Sequence, residues 1–381
     1  MKPNSASQGN HRIGRLILAL FALLAAATAA HANEDTVDMT HAVFVTMAGS
    51  PLVPFIDPDT DRIAGTIDAG LVPQQIALAS PIAKLLAIDG KASSVNLVDL
   101  VTGSIRTVPL GIVPGRVTVS SDGLLPALAD LGSGDVVLLD LLRHRVLGRV
   151  GGLSPSRDMV FSANSRTLYV AGKSQGAIDV IDATTVRRET AIATGLPYGS
   201  LALSRTSNGR RLFVQPDGGG GVGVLDLEHG GPLSPIHSGP ASTVAFPSAS
   251  GAYLLVADNQ LGTLTVLRDG DAPETTVLKA ATGVDIIYTA WFDTLALVPS
   301  TTTRTLLLYD LEAVRPVGTI SLSAAPARGA VTPDGQKLYL PLPDAGQVAV
   351  IDARRRALVA SIVVAGHPTS ILLAGSYGIC H

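Results

Sequence analysis

The sequence has a single cysteine, Cys380, which is its penultimate residue. A single cysteine excludes an internal disulfide, so the fold must be stabilised by packing. Only 15% of the 381 residues are charged and 4% are aromatic, and no basic stripe interleaved with aromatic residues is present. Together with a formal net charge of -3, these absences argue against nucleic acid and an anionic membrane surface as partners.

An apolar run near the N-terminus is too short to span a bilayer comfortably. It covers residues 16–30, follows basic residues such as Arg12 and Arg15, and ends at Ala30-His31-Ala32. This layout predicts a signal peptide over residues 1–32 and a periplasmic or secreted protein, with an uncleaved anchor as the alternative. Residues 33–40 are polar and are expected to form a flexible tail.

A short apolar phrase that ends in aspartate recurs through the rest of the chain. Successive copies lie 41 to 44 residues apart, as the step from Asp99 to Asp140 and the step from Asp182 to Asp226 show. The phrase ends at Asp57, Asp99, Asp140, Asp182, Asp226, Arg268, Asp310 and Asp352. A fixed period of about 40 residues with strand-like content is typical of a β-propeller.

Each repeat contains four predicted strands, which we label A to D in chain order. In the unit after Pro155 they cover residues 157–162, 167–171, 177–181 and 189–193, and turn residues separate them. A proline precedes strand A, where no ladder donor is needed. These prolines are Pro73, Pro114, Pro155, Pro197, Pro240, Pro326 and Pro368, and Gly283 takes the place in the remaining unit.

The count of strands predicts an all-β fold, an eight-bladed β-propeller of four-stranded antiparallel blades. The chain begins with a B strand at residues 42–46 and ends with an A strand at residues 369–374 that has no partner in its own unit. We therefore expect the C-terminal strand to close the first blade, which leaves no incomplete edge. Residues 41–381 then form one propeller domain, with seven blades as the alternative count.

Two stretches carry a family resemblance. Residues 166–199, RTLYVAGKSQGAIDVIDATTVRRETAIATGLPYG, and residues 335–368, GQKLYLPLPDAGQVAVIDARRRALVASIVVAGHP, resemble YVTN-type β-propeller repeats, and the likeness extends over nearly all of residues 41–374. The resemblance implies a propeller fold and an exported or surface protein. Related propellers accompany periplasmic redox enzymes or carry cofactors. This chain departs from the pattern at Arg268 and Gly283 and in its low aromatic content.

The candidate binding residues stand at the start of strand A, where the loops of all blades meet around the mouth of a propeller. They are Gln75, Arg116, Arg157, Asp158, Asp285 and Arg328. The planar guanidinium group suits carboxylate or phosphate, so these residues predict a site for an anionic ligand or an acidic patch of a partner. The alternative is that the arginines pair with Asp158, Asp285 and the B–C loop acids, which are Asp89, Asp130, Asp217, Asp258 and Asp344.

Other residues are weaker candidates for a catalytic or metal-binding role. The repeated aspartates are expected to accept hydrogen bonds within their own turns. The stretch Asp57-Pro58-Asp59-Thr60-Asp61 spaces its acids like a calcium loop but lacks the glycine and the distal glutamate. Cys380 and His381 end the chain with two side chains that can ligate metal or haem iron, although a zinc site needs three or four ligands.

Two functions remain open at this point. The first is an exported, non-catalytic propeller that binds a partner protein or small anionic ligand at its mouth, and we expect it to be a monomer. The second is a periplasmic enzyme, or a redox accessory subunit that carries a cofactor or metal. The residues favour the first, because no acid–base pair or set of metal ligands converges in the sequence, and they specify no cofactor.

Overall fold

The structure is a computed structural model that describes residues 37–153, 156–172, 176–195, 201–206, 208–216, 221–230, 232–237, 243–268 and 274–374. The described residues from Met39 onward belong to one compact unit. In this part of the chain the only helical turns are two short 3-10 segments, Ser80–Ile82 and Pro343–Ala345. The predicted signal peptide and residues 33–36 lie outside the described residues.

The first half of the chain forms the strands β1 (Val43–Met47), β2 (Leu52–Asp57), β3 (Arg62–Asp68), β4 (Gln75–Ala79), β5 (Lys84–Ile88), β6 (Ser94–Asp99), β7 (Ile105–Pro109), β8 (Arg116–Val119), β9 (Pro126–Ala129), β10 (Val136–Asp140), β11 (Arg145–Val150), β12 (Ser156–Phe161), β13 (Thr167–Gly172), β14 (Ala177–Asp182) and β15 (Arg187–Ala193). The second half forms β16 (Leu201–Arg205), β17 (Arg211–Pro216), β18 (Val222–Asp226), β19 (Ser234–His237), β20 (Thr243–Pro247), β21 (Tyr253–Asp258), β22 (Thr263–Arg268), β23 (Glu274–Lys279), β24 (Tyr288–Ala290), β25 (Leu295–Ser300), β26 (Thr305–Asp310), β27 (Arg315–Ser321), β28 (Ala330–Val331), β29 (Lys337–Leu342), β30 (Gln347–Asp352), β31 (Ala357–Val363) and β32 (Pro368–Leu372).

Across the described ranges these strands form eight four-stranded antiparallel sheets. Blade 1 has the order β3-β2-β1-β32, and blades 2 to 8 each contain four consecutive strands, from β4–β7 through β28–β31. The predicted eight-bladed propeller is confirmed, and the seven-blade alternative is wrong. Short strands and tight turns recur about every 42 residues. Each unit therefore completes one radial sheet, which leaves little edge exposed.

The C-terminal strand closes the ring as the sequence predicts. β32 pairs with β1 in antiparallel register, with Val45 opposite Ile371 and Thr46 opposite Ser370. It therefore supplies the innermost strand of blade 1, the position that strand A fills in every other blade. The first and last segments of the propeller are thus hydrogen-bonded into one sheet.

The hydrophobic core lies between neighbouring blades rather than within any one sheet. Tyr288 and Leu297 of blade 7, for example, pack in one cluster with Leu340 and Ile351 of blade 8. Every residue of the second strand β9 is buried, whereas the outermost strand β15 has no buried residue. This burial gradient orients each blade with its first strand toward the centre and its fourth toward solvent.

Hydrogen bonds between polar side chains reinforce the joint between blades 8 and 1. The Tyr339 hydroxyl donates to Asp61 Oδ1 at 2.5 Å, and Lys337 Nζ donates to Asp61 Oδ2 at 2.8 Å and to the Pro58 carbonyl at 2.7 Å. Burial raises the pKa of Tyr339, and the hydrogen bond to Asp61 raises it further. The stretch with calcium-like spacing is therefore the turn between β2 and β3, and Asp61 binds blade 8.

Both departures from the repeat have local physical causes. Gly283 has φ of +71°, which proline cannot adopt, and a Cβ there would lie 2.2 Å from Thr302 Oγ1. Arg268, which replaces a turn aspartate, donates to Tyr253 Oη at 3.2 Å and to the Glu312 carbonyl at 3.1 Å. Arg268 thus links blade 6 to blade 7 instead of capping its own turn.

The repeated aspartates cap the turns that follow them. Asp99 Oδ1 accepts backbone N–H groups from Val101 at 2.9 Å and from Thr102 at 2.8 Å. Asp182 Oδ1 accepts the N–H groups of the second and third residues after it, at 2.7 Å and 3.1 Å. Asp226 Oδ1 accepts the N–H groups of the second and third residues after it as well. Each carboxylate satisfies donors that the strand ladder cannot reach.

These turn carboxylates should make the stability of the fold fall in acid. Hydrogen bonds from Thr184 lower the pKa of Asp182 to about 2, and those from His229 lower the pKa of Asp226 to about 2. An unfolded aspartate titrates near pH 4, so the contribution of each carboxylate is fully present above roughly pH 5 and is lost as the pH falls toward 2. We expect the urea midpoint to drop across that interval.

The matched variant is Asp182→Asn, which keeps an acceptor oxygen but has no charge to titrate. Its urea midpoint should fall less steeply with acid than that of the wild type. A wild-type midpoint that is constant from pH 5 to about pH 2 would contradict this account of the turns.

Candidate functional site at the mouth of the ring

The mouth is the end of the ring where the innermost strands begin. Gln75 and Arg116 are the first residues of β4 and β8, and Asp158 lies in β12. Arg328 stands just before β28, and its backbone bridges to Ser370 of β32. The sequence places these residues at equivalent points of the repeat, and the ring arranges them around one opening.

Asp158 ties three consecutive blades together. Its Oδ1 accepts Arg116 Nη2 of blade 3 at 2.7 Å, and its Oδ2 accepts the N–H of Leu203 in blade 5 at 3.0 Å. The same Oδ1 lies 3.1 Å from the N–H of Met159 in its own strand. Asp158 is only 6% exposed, so these bonds satisfy a carboxylate that water hardly reaches.

Gln75 makes a similar link one blade earlier. Its Nε2 donates to the Val117 carbonyl and its Oε1 accepts the Val117 N–H, each at 2.9 Å. Both ends of the amide are occupied by the backbone of blade 3. Gln75 therefore positions the neighbouring strand rather than offering a free group to a ligand.

Arg328 differs from both, because it makes no side-chain hydrogen bond or ion pair within the described ranges. Its side chain is exposed to water. Burial nevertheless lowers the pKa of Arg328, and the charge of Arg116 acts in the same direction while Tyr288 and Asp158 oppose it. The side chain is accessible to water, and its guanidinium group remains cationic.

The backbone around Arg328 is held from several sides. The Gly329 N–H donates to Tyr288 Oη at 2.7 Å, and the Arg328 carbonyl accepts the Ile371 N–H at 3.0 Å. A Cβ at Gly329 would lie 2.2 Å from the Tyr339 carbonyl oxygen, so only glycine allows this close approach. Desolvation raises the pKa of Tyr288, which keeps the hydroxyl neutral beside the arginine.

The two interpretations of the mouth arginines apply to different residues. Arg116 pairs with Asp158, as the structural alternative predicts. The loop acid Asp89 uses its carboxylate for the N–H groups of Lys91 and Ala92, and Asp130 uses its own for Gly132 and Ser133. Neither of these two loop acids bonds to Arg328, and the Arg328 side chain makes no ion pair within the described ranges.

Of the remaining predicted site residues, Asp285 does not join this group. Asp285 is exposed and makes no hydrogen bond or ion pair within the described part of the chain, and the groups that shift the pKa of Arg328 do not include it. The backbone of Arg157 lies in β12, but its side chain lies outside the described residues. Asp217 also falls outside them.

A regular contact explains which residues pair. In two units the side chain two positions after the proline bonds to the residue three positions after the proline of the next unit: Gln75 bonds to Val117, and Arg116 bonds to Asp158. The residue in the same position relative to Arg328 is Ile371, whose N–H bonds to the Arg328 backbone carbonyl. Isoleucine offers no carboxylate, so Arg328 has no ion pair there, although the charge of Asp158 acts on it from further away. Both positions can be read from the sequence, but only the structure shows that they face each other. The sequence has no comparable signal for Tyr288.

Over the described ranges, no three His, Cys, Asp or Glu side chains lie close enough to hold a metal ion. His367 directs Nδ1 to the Pro343 carbonyl at 3.0 Å. The proposed ligands Cys380 and His381 lie outside the described residues.

Comparisons with known proteins show the fold class. A scan against protein-family models and a search of curated proteins both gave no match. Among solved structures, dihydro-heme d1 dehydrogenase NirN in complex with DHE matches with a TM-score of 0.72 and 16% identity, over 89% of this chain and 76% of that chain. Apo AztD from Citrobacter koseri matches with a TM-score of 0.65 and 16% identity, over 89% of this chain and 99% of that chain. At such identities the likeness shows a shared β-propeller fold.

No helix suited to crossing a membrane occurs in the described part of the chain, since none combines sufficient length with sufficient apolar character.

Proposed function

We propose that this chain is an exported β-propeller of the YVTN-repeat type that binds an anionic group at its mouth. The group is a carboxylate or phosphate of a partner protein or small ligand. Arg328 is the principal contact, and Arg116 contributes positive potential from its fixed position beside Asp158. Export is supported by the layout of residues 1–32 and the family by the repeated phrases of the sequence.

The single observation that carries this proposal is the state of Arg328. It is a water-accessible cation at the mouth that makes no side-chain hydrogen bond or ion pair within the described ranges, and the charges of Arg116 and Asp158 act on it in opposite directions. An arginine that was needed only for packing would gain from a carboxylate neighbour, as Arg116 does. The planar guanidinium group of Arg328 is instead accessible to solvent, and its geometry matches that of an oxyanion.

A binding role also agrees with the other mouth residues. The side chains of Gln75 and Asp158 are hydrogen-bonded to backbone groups of neighbouring blades, and these bonds fix the shape of the opening. A rigid scaffold that presents an unpaired arginine serves recognition, because little conformational entropy is lost when a ligand binds.

The test is titration calorimetry with inorganic phosphate and citrate as probes, at low and at physiological salt. We expect the wild type to bind at least one probe, and Arg328→Gln to bind it roughly 10- to 100-fold more weakly, since a hydrogen bond to a charged group is worth about 1.5–3 kcal/mol. The control is Arg143→Gln, whose partner Asp140 lies at a turn on the opposite face. Affinity that is equal in the wild type and Arg328→Gln would refute the proposal.

A second candidate function has one observation in its favour. The solved structure of NirN is a complex with DHE, and this chain shares its fold over 89% of the sequence. On that ground we keep a periplasmic enzyme or cofactor-bearing redox subunit as the alternative. Protein purified from its native compartment distinguishes the two, because a visible absorbance band or stoichiometric metal would support the alternative.

A further inference from the structure

The turn between β24 and β25 departs from the other inner turns of the ring. It lies on the face opposite the mouth and consists of Trp291, Phe292 and Asp293, with φ of +50°, +57° and +61°. The corresponding turns of other blades use residues suited to this geometry, such as Asp122-Gly123, Asn208-Gly209 and Asp334-Gly335. Aromatic residues rarely adopt a left-handed backbone, so this turn holds Trp291 and Phe292 in an unfavourable conformation, whereas aspartate tolerates it.

Both neighbouring blades hold the turn in place. On one side the carboxylate of buried Asp293 accepts the N–H of Ala249 at 3.1 Å, and the N–H and Oγ of Ser250 at 2.8 Å and 2.5 Å. On the other side the Trp291 N–H donates to the Gly335 carbonyl at 2.9 Å. Unfavourable backbone persists only where its surroundings fix it, and such sites concentrate where ligands or partners bind.

The turn presents its aromatic residues to solvent beside an arginine. Phe292 is 73% exposed, and its ring contacts Trp291 edge-on with 5.5 Å between centroids. The guanidinium carbon of Arg354 lies 5.8 Å from the Trp291 ring centroid. Trp291 is the only tryptophan of the sequence. We call Trp291, Phe292, Arg354 and Arg355 the aromatic–arginine patch.

The charge of the patch is only partly neutralised. Arg354 makes no ion pair within the described ranges, and its cation is stabilised only by the tryptophan ring. Arg355 is loosely paired, with Nε 3.7 Å from Asp352 Oδ2 and a largely exposed side chain. The patch therefore combines an exposed apolar ring with available positive charge. Tryptophan and arginine are also the residue types most often found at the energetic centres of interfaces.

We propose that the aromatic–arginine patch is a docking site for an acidic segment of a partner protein, in which a bulky apolar side chain stands next to a carboxylate. The apolar side chain packs on Phe292 and Trp291, and the carboxylate binds Arg354. A protein segment fits better than a membrane surface, because tryptophan and arginine are typical of protein interfaces and the patch is one turn beside two arginines rather than a broad basic face. The patch and the mouth lie on opposite faces, so the two sites are independent.

The test is selection from a phage-displayed library of random peptides on the full chain. We expect enriched peptides to carry Asp or Glu beside Leu, Phe or Trp, and to bind Phe292→Asn and Arg354→Gln at least tenfold more weakly than the wild type. Asparagine tolerates positive φ, so Phe292→Asn removes the ring without adding backbone strain, and its melting temperature should not fall. The control is Leu261→Asn, since Leu261 is also 73% exposed but lies in a loop on the mouth face.

Three results would overturn the proposal. The first is a selection without acidic–apolar enrichment. The second is enriched peptides that bind Phe292→Asn as tightly as the wild type, or whose binding is lost in Arg328→Gln instead, which would assign them to the mouth. The third is wild-type binding to phosphatidylcholine–phosphatidylglycerol vesicles that Phe292→Asn abolishes, because the patch would then be a lipid contact.

Discussion

A chain that ends at His367 will not fold. This truncation removes β32, the innermost strand of blade 1, and leaves the inner edge of β1 unpaired. Val45 is fully buried in the intact protein, and Ile371 and Leu373 pack in the same cluster. Burying an aliphatic side chain contributes about 1.5–3 kcal/mol. Loss of these three contacts and of the strand ladder removes roughly 5–9 kcal/mol, which is comparable to the whole stability of a typical domain.

The measurement is circular dichroism and thermal unfolding of the truncated chain beside a chain that ends at Ala374, which retains all of β32. The longer chain should give a cooperative transition and the shorter one none. A synthetic peptide covering residues 366–381, added in excess, should restore the transition because it supplies the missing strand. If the shorter chain melts like the full protein, the closing strand does not stabilise the ring.

The second large effect is expected for Asp158→Ala. This substitution leaves the Arg116 guanidinium without its counter-charge and the Leu203 N–H without an acceptor. Removing one partner of a buried, hydrogen-bonded charge pair costs about 3–5 kcal/mol, and the partial exposure of Arg116, 29%, places this case at the lower end. We expect a loss of about 3 kcal/mol in the free energy of unfolding.

Asp285→Ala is the matched control, since Asp285 is also an aspartate at the mouth but makes no bond within the described residues. Its unfolding free energy should stay within about 0.5 kcal/mol of the wild type. Urea unfolding at pH 7 measures both variants, and the double variant Arg116→Ala with Asp158→Ala isolates the pair energy. Equal stabilities for the two aspartate variants would show that Asp158 does not join the blades.

The strands were predictable because each one has its own local pattern of apolar residues bounded by turn residues. In the fourth blade the predicted strands at residues 167–171 and 177–181 agree with β13 and β14 to within one residue at each end. The last strand of that blade begins two residues earlier than predicted, at Arg187, because the turn after Asp182 is shorter than its polar residues indicate. Asp182 itself capped its turn as expected, since that bond involves only neighbouring backbone.

The candidate site was predicted less well, because its residues act across blades. Gln75 and Arg116 were grouped with Arg328 as ligand contacts, yet the first two are occupied by Val117 and Asp158 of the next blade. The aromatic–arginine patch was not predicted at all. Its residues, Trp291 and Arg354, are far apart in the sequence and belong to different blades, so no repeat pattern relates them.

By itself the sequence determined the strand order of each blade, the favoured count of eight and the closure of the ring, because apolar strands and aspartate turns recur every 41 to 44 residues and each is set by local pattern. Only the tertiary structure decided which cations are neutralised. Arg116 and Arg328 hold the same place in their repeats, but the Arg116 side chain pairs with Asp158, whereas the next unit after Arg328 has Ile371 at the position equivalent to Asp158. That difference arises where two blades come together, and pairing between side chains of separate blades is set by three-dimensional contact rather than by local pattern.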